Sequence, residues 1–141
     1  MDIPRHLWRF PTADAIASLA ARFGFPNTSA MQDWEWEVAD PARIDEFLVA
    51  YSSGALSSDE RFTLMETIIQ SFEDSGEDLA SDPRWRSVLG LLDEFIDLHI
   101  YTVWYWACDE DGVDDGFRVT KDLRSLFGRH RRRFVGSGGV G

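Results

Sequence analysis

From Trp85 to Trp106 the chain places Trp85, Leu89, Leu92, Ile96, His99, Val103 and Trp106 in steps of four and three. That is the helical period, and no other segment of the chain keeps it for so long. A second stripe, Val88, Leu91, Phe95, Leu98 and Thr102, runs beside the first. A helix with two such faces needs cover on both sides, so the spacing predicts one continuous central helix of about 24 residues, roughly 36 Å long. Asp82-Pro83 opens it as an N-cap followed by proline at the first helical position, where a missing N–H costs nothing. Its second half, HIYTVWYW, is rich in β-branched and aromatic residues that also suit a strand, yet the period favours helix across 98–106.

Similar punctuation marks the other elements. Thr12 is placed to cap a first helix whose apolar positions Ile16, Leu19, Ala20 and Phe23 end at Gly24 and Pro26. Asp40-Pro41 starts a second, with Ile44, Phe47, Leu48 and Tyr51 on one stripe up to Gly54. Ser57 and Glu60 have the spacing of a capping box, ahead of Phe62, Met65, Ile68, Ile69 and Phe72. Between these helices, Trp34, Trp36 and Val38 alternate with Glu35 and Glu37 without a partner strand, which reads as an irregular or short helical link. A last helix begins near Thr120 and turns Leu123, Leu126 and Phe127 inward. Pro4 and Pro11 bracket an extended N-terminal arm anchored by Trp8, and Gly136 to Gly141 reads as a flexible, disordered tail. The expected fold is all-α: a single helical domain, residues 1–135, with about five helices around the long one. Its expected core is Ile16, Phe23, Phe47, Leu48, Phe62, Met65, Ile69, Phe72, Leu89, Leu92, Ile96, Val103 and Leu126.

Charge narrows the function. Of 141 residues, 25 are Asp or Glu and 14 are Lys or Arg, a formal charge of −11. Up to Phe117 there are 24 acidic and 7 basic residues; beyond it there are 1 and 7. A body that negative repels phosphate backbones, so nucleic acid is not the expected partner and a basic protein is. The longest uncharged apolar run, Leu98 to Cys108, has eleven residues, well short of the roughly 20 that a membrane helix needs. MDIPRHLWRF has two prolines and an early Asp, so no export signal is expected. With Cys108 alone, neither an internal disulfide nor a thiolate zinc cage can form, and a reducing cytoplasm is the expected setting.

The inventory of reactive groups is short. Asp109, Asp111, Asp114 and Asp115 supply hard oxygen donors around Gly112, a weak candidate for calcium. Counted from Asp109, however, an EF-hand loop would need Gly where Asp114 stands and Glu where Thr120 stands. Asp93 and Asp97 share a helical face flanked by Glu94, but facing carboxylates of the Glu-x-x-His kind are missing, so a metal enzyme is the least favoured reading. His99 falls on the apolar stripe and reads as core. The acidic neighbours of Cys108 suppress its thiolate. There is no Gly-rich phosphate loop and no nucleotide fingerprint. No cofactor and no catalysis are expected, and the cations of Arg129–Arg133 are expected to close on the acidic surface.

Aromatic rings beside carboxylates suit a recognition surface, the rings supplying energy and the charges steering. The expected partner-binding residues are Trp34, Glu35, Trp36, Glu37, Asp93, Glu94, Asp97, Asp109 and Asp111. In size, charge and helical make-up the chain is similar to small acidic bacterial immunity proteins, a likeness of composition. It implies an immunity- or antitoxin-type inhibitor of a basic partner such as a toxin. The alternative is a structural or regulatory domain that self-associates as a homodimer.

Overall fold

Thr12 Oγ1 accepts the amide of Ala15, and Gly24, in the left-handed region at φ 72°, ends the first helix, α1, Ala13–Phe23. The structure, a computed structural model, describes residues 3–76, 78–107 and 118–135. The acidic loop and the glycine tail read from the sequence at 109–116 and 136–141 lie outside the described residues. The link after α1 holds one helical turn, α2, Trp34–Glu37. Asp40 caps a 3-10 turn over Pro41–Arg43 that leads into α3, Ile44–Ser52. The capping box forms at Ser57 and Glu60 and opens α4, Ser58–Asp74. Then come α5, Pro83–Glu94, capped by Asp82, α6, Ile96–Ala107, and α7, Thr120–Val135. Every regular element among the described residues is helical, as the sequence patterning requires.

Backbone proximity divides the chain into two compact units, Phe10–Glu77 and a second made of Met1–Arg9 with Asp78–Gly141. In the first, α1, α2 and α3 all pack on α4. Phe62, Met65, Ile68, Ile69 and Phe72 of α4 are fully buried there. Phe47 meets Phe23 edge to face at 5.2 Å, and Phe25 lies against both Phe47 and Trp34. Arg43 covers this cluster, its guanidinium 4.6 Å from the Phe25 ring, while Nη2 donates to the carbonyl of Phe23 at the exposed end of α1. A polar stripe on α4 holds the link: Thr67 Oγ1 donates to the Glu35 carbonyl (2.7 Å), Glu66 accepts from Trp36 Nε1 (3.1 Å) and Ser71 Oγ accepts the Asp40 amide (2.9 Å).

The second unit corrects the expected central helix. It is two helices, broken at Phe95, whose φ of −108° and ψ of 37° are not helical. In one straight helix, Trp85 and Trp106 would stand about 32 Å apart. Here Trp85 Nε1 donates to Asp122 Oδ2 (2.8 Å) while the Trp106 carbonyl accepts from Thr120 Oγ1 (2.9 Å), so both ends reach the first turn of α7. At the bend, His130 Nε2 lies 2.6 Å from Asp93 Oδ1 and Arg133 Nη2 lies 2.6 Å from Asp97 Oδ1. The segment therefore folds back on itself, with α7 lying along both limbs. This is also how a segment with two apolar faces hides them: the limbs cover one another and share α7. The arm belongs to the same unit and, where extended chain was expected, holds a 3-10 turn over Arg5–Leu7. Trp8 stacks on Trp104 (6.2 Å, 22°), touches Tyr101 (5.9 Å) and donates from Nε1 to the carbonyl of buried Ile3.

Candidate functional site

The residues expected to face a partner fall into three groups. Trp34 and Glu35 are buried: the Trp34 indole donates to the Pro26 carbonyl (2.7 Å) and Glu35 holds α2 to α4 through its own carbonyl. Trp36 is half-buried and tied to Glu66. Glu37 is exposed, yet its Oε2 already accepts the amides of Gln32 and Asp33, which shapes the turn before α2. The alternation of aromatic and acidic residues that suggested a docking face is thus mostly a one-turn helix plugged into α4. Burial pushes the Glu35 carboxyl above the ordinary range, its own backbone N–H opposes this, and the charges of Asp33 and Glu37 add to the rise.

Asp93, Glu94 and Asp97 lie in the other unit, at the bend between α5 and α6. Asp93 and Asp97 are engaged by α7, and Glu94 between them is exposed. The His130 ring on its carboxylate, with the charge of Arg129 behind it, holds Asp93 below the usual carboxylate range. Arg133 and the His130 ring at the end of α7 therefore close on this acidic face. Among the described residues no three His, Cys, Asp or Glu side chains are grouped so as to hold a metal ion. His99 is fully buried on α6. Asp109, Asp111, Asp114 and Asp115 lie outside the described residues.

What the sequence reading missed is where the negative charge remains. Phe10–Glu77 carries 13 acidic and 3 basic residues, a net of −10, whereas the rest of the chain has 12 and 11 and nets −1. Asp14, Asp33, Glu37, Asp45, Glu46 and Asp74 are exposed in that acidic unit. Of its cations, Arg43 is paired bidentately with Glu46 and Arg61 reaches the Tyr51 hydroxyl, which leaves Arg22 as the exposed one. The N-termini of α1 and α4 converge on an open groove of about 260 Å³, lined by Asp14, Asp59 and Glu60 and by the hydroxyls of Thr12, Ser18 and Ser57. Ser18 donates to Glu60, and this bond together with the Ser57 amide keeps Glu60 ionised further into acid than usual. Every polar side chain lining that groove ends in oxygen, and three of them are carboxylates. The signal that could have revealed this unit was present as a count, since the segment Phe10–Glu77 nets −10 and the rest of the chain −1, but only the packing shows where its two boundaries fall.

No protein family, curated protein or solved structure matches this chain. No helix among the described residues is long and apolar enough to cross a membrane.

Proposed function

We propose that this chain is an acidic protein-binding module whose Phe10–Glu77 unit docks a basic protein, as an immunity- or antitoxin-type inhibitor masks the cationic cleft of its target. The observation that carries the reading is the segregation of charge: −10 on that unit and −1 on the remainder. α7 meets the carboxylates of its own unit at Asp93 and Asp97, while the exposed acids of the Phe10–Glu77 unit have few cations of their own. Uncompensated surface charge of one sign steers an oppositely charged partner, and association rates of about 10⁸ M⁻¹s⁻¹ at low salt are within reach of such steering.

The test begins with capture on the immobilised full chain at low ionic strength and continues with kinetics on the purified captured protein. The partner should be basic, and its association rate should fall steeply as salt rises. Reversal of two exposed acids, Asp33→Lys with Asp74→Lys, should slow association, whereas Asp93→Asn, at a carboxylate held by His130, should not. A partner whose association rate ignores both salt and the reversal would overturn the reading, as would the failure to retain any basic protein.

A further inference from the structure

We propose that α5 and α6 also form one straight helix, in a dimer where the α6–α7 pair of each copy packs on α5 of the other. The bend that separates these helices is a single residue, Phe95, with helical residues Glu94 and Ile96 on either side. Nothing local dictates it. No proline lies between Arg84 and Trp106, the only glycine there, Gly90, is five residues from the bend, and both apolar stripes run through Phe95 without a change of register. Local sequence and period therefore favour a continuous helix, and only tertiary contacts fold it back.

Those contacts survive an exchange between copies. The bonds from Thr120 to the Trp106 carbonyl and from Arg133 to Asp97 lie within α6–α7 and stay in one chain. The bonds from Trp85 to Asp122 and from His130 to Asp93 join α5 to α7 and would re-form unchanged between chains. α6 packs more extensively on α7 than on α5, so α6–α7 moves as one piece, and the seam is its junction with α5 and with Trp8 of the arm, whose contacts with Tyr101 and Trp104 would likewise re-form between chains. Straightening Phe95 adds the backbone hydrogen bonds of an uninterrupted helix over Pro83–Ala107, and the interface exchanged is one the single chain already uses. These are the conditions under which domain exchange is a low-cost route to a dimer. The occupant is a second copy of this chain because no other partner carries the α6–α7 surface that fits α5. Two copies of net charge −11 repel, so the dimer should strengthen as salt rises. The docking of a basic partner weakens under the same change, which keeps the two readings separable.

Sedimentation equilibrium on the full chain, from low micromolar to sub-millimolar concentration, tests this with two variants of one position. Phe95→Ala and Phe95→Gly lose the same half-buried ring, but alanine favours the straight helix over glycine by about fivefold in each chain, hence about 25-fold in the dimerisation constant. A second measurement reads the bend itself. In a Cys108→Ser background, spin labels at Ser87→Cys and Tyr105→Cys, diluted with unlabelled chain, should show an added separation of about 27 Å in the dimer, that of eighteen residues of straight helix. The monomer should show only the shorter separation of the folded-back limbs. A Phe95→Ala chain that stays monomeric at the highest concentration overturns the proposal. So does a dimer that keeps only the short separation, or one that forms equally well from both variants.

Discussion

Glu35 is a carboxyl packed where the fold has little water for it, and its titration is a statement about stability. Because burial raises its folded value above the ordinary 4.5, the folded state holds the proton more tightly than the unfolded chain does. Glu35 thus favours folding most in acid, and that contribution is lost as pH rises through the raised value; at neutral pH the buried charge is a cost. Glu35→Gln is expected to raise the melting temperature at neutral pH, with the gain vanishing below the ordinary carboxylate value, where Glu35 is neutral in both states. Thermal melts at the two pH values check this, and equal melting at neutral pH would show that the carboxylate is fully compensated. The sequence placed this residue on a partner-facing surface because aromatic and acidic residues alternate there. The sequence pattern could not register that Thr67 and Glu66, about thirty positions away, offer α2 its bonds. Core positions read from period alone fared better: Phe47, Met65, Leu92 and Val103 are fully buried. Ile16, Leu48 and Leu89, expected in the core on the same grounds, are only half-buried.

At the scale of elements, helix starts and stops were legible because capping is settled within one turn. The amides at the start of a helix have no partner in the helix itself, and Thr12, Asp40, Ser57 and Asp82 each accept one of them. The box at Ser57 is the most complete of these, with the Glu60 side chain returning to the Ser57 amide. Ser57→Ala should therefore destabilise the protein by about 1 kcal/mol, readable as a lower midpoint in urea with an unchanged slope. Ser18 would still hold Glu60 after that change, so the loss should stay near that of one cap. The bend at Phe95 was not legible for the opposite reason. What holds it, Asp122 and His130 on α7, lies 37 positions from Trp85 and Asp93, and no residue near Phe95 breaks a helix.

For the molecule as a whole, the distribution of charge matters more than its sum. A unit with 13 acidic and 3 basic residues repels itself when compact, whereas the remainder, with 12 and 11, is nearly balanced. Screening relieves the first and touches the second little, since exposed ion pairs in water contribute weakly. The melting temperature should accordingly rise as sodium chloride is raised from low to physiological strength, and a scan that falls instead would mean that the ion pairs of α7 outweigh the repulsion. The amino-acid sequence by itself determined the all-α class, the capped helix starts and the anchoring of the arm by Trp8, because periodicity, caps and prolines act over a few neighbouring residues. Only the tertiary structure decided where the longest helical segment folds back and which carboxylates remain available to a partner, because those outcomes rest on side chains that come together from more than thirty positions apart.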